Sequence, residues 1–262
     1  MNIKDLDLST FEAMVRIVEH LRAPGGCPWD AEQTHESLRS AWLQECYEVL
    51  DAVEEGAPKK VAEELGDVLL HIVFHAVIAR EAGEFAMADL LKAANEKLVR
   101  RHPHVFGDAK AGTAWEVEKQ WEEIKRKERE GTDRSILDGV PRNMPALARS
   151  QGIQTRASRS GFDWDDIEGV LEKVQEELRE LKKATTQDER EKELGDVFLA
   201  LVNVARWLKL DAEGAMRRAN DRFFQRFVHM EKLCQERGLK FADLPIEEKE
   251  ALWQEAKKAT TG

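Results

Sequence analysis

Tyrosine occurs once in the 262 residues and proline seven times, and no stretch alternates apolar and polar residues as a half-buried strand does. With leucine, alanine, glutamate and lysine abundant instead, the expectation is an all-α protein. Cysteine is scarce: Cys27, Cys46 and Cys234 are widely spaced and odd in number, which excludes a disulfide framework and fits a reducing compartment. No apolar run approaches the ~20 residues of a membrane span, and the best candidate, Val68 to Ala79, carries two histidines. Met1 to Thr10 is polar and acidic with no signal-peptide centre, so a cytoplasmic protein without membrane contact is expected. Positive charge is in deficit, 40 lysines and arginines against 51 acids, for a net −11. That balance argues against nucleic-acid binding, although local lysines and arginines can still meet a small anion.

What the chain has in excess is paired carboxylates. Val170, Leu171, Val174, Leu178 and Leu181 recur at three- and four-residue steps, one apolar face of a helix. After a polar break over Ala184 to Arg190, Leu194 to Leu208 reads as a second, more apolar helix. Residues three apart on a helix are neighbours with Cβ atoms roughly 5–6 Å apart. Glu177 therefore shares a face with Glu180, and Glu193 with Asp196. A short connection folds such helices back antiparallel, which can bring the two pairs together. Two like charges about 5 Å apart repel by roughly 3 kcal/mol at an effective dielectric near 20. The groups either splay into water or bind a divalent cation, and all-oxygen ligands suit Mg²⁺ or Mn²⁺ better than zinc. One such pair alone is ordinarily a solvated helix face.

The pattern, however, occurs twice. Glu45 and Glu48, then Glu64 and Asp67, repeat the spacing within each pair. Ala94-Asn95-Glu96-Lys97 is echoed by Ala219-Asn220-Asp221-Arg222, Arg101 by Arg226, and Trp121-Glu122-Glu123 by Trp253-Gln254-Glu255. Matches in the same order along the chain are the mark of an internal duplication. Two domains are expected: residues 1–133, a linker at 134–145 carrying Gly139, Pro141 and Pro145, and residues 146–262.

Along the chain, Phe11 to Leu21 reads as an amphipathic helix ended by Pro24-Gly25-Gly26, followed by Cys27-Pro28-Trp29-Asp30 in a loop. Leu38 to Val53 and Val61 to Arg80 carry the first set of acids, and His71 and His75, one turn apart, are expected to be packed, hydrogen-bonded histidines. Met87 to Val99 runs into Arg100-Arg101-His102-Pro103-His104, either a phosphate clamp or a basic helix end. Ala114 to Glu130, Asp211 to Arg237 and Ile246 to Lys258 complete the helical reading, with Gly161-Phe162-Asp163-Trp164 preceding the central pair.

Glu176-Glu177-x-x-Glu180 followed by Glu193-x-x-Asp196, on two apolar helices, resembles the signature of the all-α nucleoside triphosphate pyrophosphohydrolases. With the duplication, Gly26-Cys27-Pro28-Trp29-Asp30, Glu64-Leu65-Gly66-Asp67 and Arg101-His102-Pro103-His104-Val105-Phe106, the likeness is to the MazG branch over nearly the whole chain. The resemblance implies tandem helical bundles completed by homodimerisation. It also implies Mg²⁺-dependent hydrolysis of NTPs or dNTPs to the monophosphate and pyrophosphate, with broad base use, Mn²⁺ as a substitute metal and control of nucleotide pools as the purpose. Matched position by position, it implies Glu177, Glu180, Glu193 and Asp196 as metal ligands, and Glu176 as a general base or a group behind the ligands. Trp253 matches a base-stacking position and Phe223 is a further aromatic candidate, while Lys173, Arg222 and Arg226 are chosen as phosphate contacts. Glu45, Glu48, Glu64 and Asp67 form a second candidate metal site, but that motif starts with Gln44, and the resemblance implies that the C-terminal half carries the main activity. Other readings are a noncatalytic nucleotide- or metal-binding regulatory module and a narrower dUTP- or dCTP-specific hydrolase. A ferritin-like di-metal oxidase ranks last, because no Glu-x-x-His places a histidine in either acidic cluster.

Overall fold

A computed structural model describes residues 6–129, 131 and 135–260. Among them no strand occurs, and the all-α expectation holds. The helices are α1 (Phe11–Arg22), α2 (Pro28–Ala31), α3 (Arg39–Glu54), α4 (Pro58–Glu81), α5 (Met87–Arg101), α6 (Pro103–Phe106) and α7 (Ala114–Arg129). They continue with α8 (Ala146–Arg159), α9 (Ile167–Lys183), α10 (Gln187–Trp207), α11 (Ala212–Glu236) and α12 (Ile246–Ala259). The chain divides into two compact units, Met1–Trp121 and Glu122–Gly262. No helix of the described residues is long and apolar enough to cross a membrane.

In the first unit α3 and α4 form a helical hairpin, and α1 and α5 pack on α4. Thr10 caps α1 by accepting a hydrogen bond from the Ala13 N–H at 3.2 Å. The apolar stripe of α1 meets Val73, Phe74, Val77 and Ile78 of α4 around Val18 and Leu38. Val18 and Val73 are fully enclosed, and each such side chain contributes roughly 1.5–3 kcal/mol relative to exposure. A Cβ at Gly26 would stand 2.4 Å from the carbonyl oxygens of His20 and Leu21, so only glycine permits the chain to turn so tightly off α1. Pro28, Trp29 and Asp30, expected in a loop, instead belong to the single turn α2, with Pro28 at its first position. There the missing N–H costs nothing and the fixed φ suits a helix.

In the second unit α9 and α10 form the corresponding hairpin, α8 and α11 pack on α10, and α12 lies on α11. Asp166 caps α9 by accepting from the Gly169 N–H at 2.9 Å. The polar break is shorter than expected: α10 starts at Gln187 rather than after Arg190. Thr186 and Glu189 make a reciprocal capping box there, the Thr186 hydroxyl accepting from the Glu189 N–H at 3.2 Å and the Glu189 carboxylate from the Thr186 N–H at 3.1 Å. Charged residues 188–192 thus become the first turns of α10 and set Glu193 in regular helix. At its other end α10 closes through Lys209 in the left-handed region, φ 56°, with the Leu210 N–H on the Ala205 carbonyl. A second small core gathers Met230, Leu233 and Cys234 of α11 with Leu252 and Ala256 of α12.

Candidate metal and nucleotide site

On the α9–α10 hairpin, Glu177, Glu180 and Glu193 each bring one carboxylate oxygen within 4.8 Å of the others. Glu177 is 5 % exposed. Its Oε1 lies 2.7 Å from Lys173 Nζ, while its Oε2 is buried without a hydrogen-bond partner. Glu193 repeats that arrangement, with Oε1 2.8 Å from Lys192 Nζ and a buried, unpartnered Oε2. Asp196, the fourth acid of the motif, stands outside this group of three, 3.7 Å from Lys192. Glu176 points to Lys173 at 2.7 Å. The Lys173 ammonium is pushed well above its ordinary pKa, by Glu176 first and then Glu177, and the Glu176 carboxyl is held below its own by Lys173. Two buried acceptors with no donor are costly, and an oxygen-only donor set of this kind suits a hard divalent cation.

Beside the acids opens a cavity of about 500 Å³, within the usual range of small-molecule sites. Lys173, Glu177 and Asp196 form one side; Phe162, Trp164, Asn203 and Arg206 are among the residues of the others. Arg206 and the Trp207 indole N–H, at 2.9 and 3.1 Å, anchor Asp163 between the two aromatics. Burial alone pushes the Asp163 carboxyl up, but the hydrogen bonds from Arg206, the Trp164 N–H and Trp207 together hold it below the ordinary aspartate value. A Cβ at position 169 would fall 2.8 Å from the Trp164 ring, so Gly169 lets the indole lie against the start of α9. The expected site residues did not include Phe162, Trp164, Asn203 and Arg206. A signal was present: Asn203 and Arg206 follow Asp196 by seven and ten residues, on the same helix face.

The aromatic and basic candidates of the last two helices gather elsewhere. Phe223 packs on Trp253 with ring centroids 5.2 Å apart, and the Arg226 guanidinium lies 5.8 Å over the Trp253 ring. Arg226 also donates to the Thr260 hydroxyl at 3.3 Å, and Arg222 is exposed one turn earlier. None of these four lines the cavity beside the acids.

In the first unit Glu45, Glu48 and Glu64 bring carboxylate oxygens within 4.8 Å of one another, again without the fourth acid, Asp67. Gln44 donates to Glu48 at 2.8 Å. The Glu64 carboxyl is pushed up by burial and then by Glu48, Glu63 and Asp67. His75 is hydrogen-bonded as expected: its Nδ1 faces Nδ1 of His35 at 2.6 Å, with the two rings within 2° of parallel. Burial and the neighbouring His35 and His71 hold the His75 imidazole below its ordinary pKa. His71 is packed, but its Nδ1 is buried without a partner. At the end of α5, His102 Nδ1 contacts the Leu98 carbonyl at 2.6 Å and its ring meets Trp121 edge-on.

The MazG nucleotide pyrophosphohydrolase domain matches residues 33–106, which include Glu45, Glu48, Glu64 and Asp67. Over 247 residues the chain is 48 % identical to the nucleoside triphosphate pyrophosphohydrolase/pyrophosphatase MazG of Thermotoga maritima, covering 94 % of this chain and 95 % of that one. It is 40 % identical over 258 residues to the nucleoside triphosphate pyrophosphohydrolase of Escherichia coli, covering 96 % and 98 %. Likeness at this level, running through both acidic hairpins, means that the chain belongs to the MazG family of nucleotide pyrophosphohydrolases.

Proposed function

We propose that the chain hydrolyses nucleoside triphosphates, ribo- and deoxyribo-, to the monophosphate and pyrophosphate, using Mg²⁺ held in the second unit. One observation carries the reading. Glu177, 5 % exposed, keeps an oxygen with no donor among converging carboxylates, at the edge of a cavity of about 500 Å³ that Lys173 also lines. Family membership and the names of the relatives support the bond assignment.

Glu177, Glu180 and Glu193 hold the ion, with Asp196 joining from the cavity side; Mn²⁺ substitutes. When bound, the ion neutralises phosphate charge and lowers the pKa of a water for attack at the α-phosphorus. Lys173, shared between Glu176 and Glu177, turns to the incoming phosphates, which frees Glu176 as proton acceptor. Phe162 and Trp164 offer ring faces to the base, and stacking accepts every base, in keeping with broad specificity. Arg222 and Arg226 contact phosphate and Phe223 and Trp253 cover the base from the α11–α12 end, brought to the acids by homodimerisation. Exposed Leu178, Leu194, Phe198 and Leu201 on the α9–α10 hairpin supply apolar surface for that dimer. The two acidic hairpins derive from one duplicated helical domain, residues 1–133 and 146–262 joined by 134–145, and the enzyme acts in the cytoplasm on the nucleotide pool.

Purified protein incubated with each common NTP and dNTP and Mg²⁺ is expected to release monophosphate and pyrophosphate, and to stop with EDTA. Diphosphate and orthophosphate would move the cleavage to the other phosphoanhydride. Binding without any product would make the chain a nucleotide sensor.

A further inference from the structure

Two imidazoles of the first unit meet outside both acidic clusters. His35 belongs to residues 32–38, between α2 and α3, and His75 lies on α4. Thr34 and Ser37 fold that segment back on itself. The Ser37 hydroxyl accepts from the Thr34 N–H at 2.9 Å, and the Thr34 hydroxyl from the Ser37 N–H at 3.1 Å. Arg22 of α1 donates to the Asp30 and Gln33 carbonyls at 2.6 and 3.0 Å and fixes the near end. From the folded segment His35 reaches α4, with its Nδ1 2.6 Å from the Nδ1 of His75.

The ring planes are within 2° of parallel, yet rings stacked face to face cannot bring two nitrogens as close as 2.6 Å. The centroid separation of 4.9 Å is what the N···N distance and two ring radii add up to, so the imidazoles lie end to end in one plane. Such an arrangement is a linear N–H···N hydrogen bond. Two zinc–nitrogen bonds of about 2.0 Å at a tetrahedral angle need a wider gap, so the space fits a proton and not a metal ion. One Nδ1 must carry hydrogen and the other a lone pair. A neutral pair meets that condition, and so does a pair holding one added proton. With a second added proton both Nδ1 atoms carry hydrogen, both rings are charged, and the contact fails.

The surroundings of the two rings differ. Glu84 Oε2, 3.8 Å from His35 Nε2, offers a counter-charge on the His35 side. His75 instead faces His71, one turn earlier on α4, and the uncharged ring of Trp42 on α3, and its Nε2 is buried without a partner. Neighbouring charges in the sequence are already paired, Glu81 with Arg22 and Arg39 with Glu36. Burial first, then His35 and His71, hold the His75 imidazole below its ordinary pKa, in keeping with a second proton that the contact resists.

We propose that His35 and His75 form an acid-sensitive latch, which ties residues 32–38 to α4 while the pair shares one N–H and opens when both imidazoles are protonated. Opening frees the segment that leads into α3, the helix of Glu45 and Glu48. This goes beyond the hydrolytic reading, which concerns the second unit. The open segment takes up the second proton near the ordinary histidine value, about 6.5, and the latched one takes it up lower. The stability that the latch contributes is therefore present above that pH and is lost as pH falls through the lower, latched value.

The test is ¹⁵N-histidine NMR on the full-length chain without nucleotide, with amide hydrogen exchange as a second readout. His35 and His75 are expected to titrate as a coupled pair, in two steps about one pH unit or more apart. The Thr34, Ser37 and Leu38 N–H groups are all hydrogen-bonded within the segment. Their exchange, corrected for its intrinsic pH dependence, is expected to quicken roughly tenfold or more between about pH 8 and 5. His35→Asn keeps a donor and an acceptor near the Nδ1 position but does not titrate in this range, and is expected to abolish the quickening. His35→Ala is expected to leave the three amides fast at both pH values while far-UV circular dichroism shows the helices kept. Independent titration of the two imidazoles near the ordinary value, exchange that does not respond to acid, or an equal response in His35→Asn would overturn the proposal. None of these readouts depends on nucleotide turnover, so failure here is distinguishable from failure of hydrolysis.

Discussion

Glu177 has one oxygen held by Lys173 and one held by nothing, and that imbalance is the chemical fact on which the second unit turns. Replacing Glu177 and Glu193 together by alanine should remove both buried carboxylate oxygens that lack a donor and lower turnover by roughly 10³-fold or more, about 4 kcal/mol of barrier. Single-turnover pyrophosphate release checks it, and substantial metal-dependent turnover in the double variant would move the activity to the first unit. Asp163 supports a pH prediction. Its folded-state pKa is depressed, so its contribution to stability is present above the ordinary aspartate value and is lost as pH falls through the lower folded value. Trp164 and Trp207 fluorescence should therefore change below about pH 4, and Asp163→Asn should remove that transition. The sequence could place Glu177 and Glu180 on one face, but it could not show that Asp196 stands apart from the triad. Helical spacing sets where a Cβ lies, whereas rotamer and neighbouring lysines set where the carboxylate goes.

At the scale of the helix, the start of α10 decides where Glu193 sits. The Thr186–Glu189 capping box satisfies two backbone donors there, so Thr186→Ala should cost about 1 kcal/mol of stability, measurable as a lower urea midpoint with an unchanged slope. The motif was legible as Thr-x-x-Glu, yet the charged run 188–192 resembles a loop until the cap is recognised. Gly169 offers a second test, because a methyl group there would meet the Trp164 ring at 2.8 Å. Gly169→Ala should displace the indole from the cavity wall and raise KM severalfold, more than it lowers kcat, in steady-state assays across several bases. Equal KM would mean that Trp164 does not touch the substrate. The turn Pro28–Ala31 shows the opposite case, in which proline and a neighbouring glycine pair suggested loop while Pro28 began a helix.

At the scale of the molecule, a chain of net charge −11 must still gather a polyanionic substrate. The cations proposed to help, Arg222 and Arg226, are grouped with Phe223 and Trp253 away from the cavity lining. If dimerisation unites the two groups, sedimentation should give twice the monomer mass. Mixing a Glu177→Ala chain with a Trp253→Ala chain should then restore roughly a quarter of the parent activity, the share of intact shared sites in a random C2 mixture. A mixture no more active than its parents would assign acids and Trp253 to the same chain.

The sequence by itself determined the helical class, the positions of most helices and the two sets of acids. These follow from local rules: apolar residues at helical period, caps, and carboxylates three apart on one face. Only the tertiary structure decided which oxygens meet and which lack a donor. It also decided that Phe162, Trp164, Asn203 and Arg206 share a cavity with Asp196, while Phe74 and Val77 belong to a core. Those outcomes depend on which element packs against a helix face, through contacts between residues far apart in the chain. Periodicity along one helix carries no record of them.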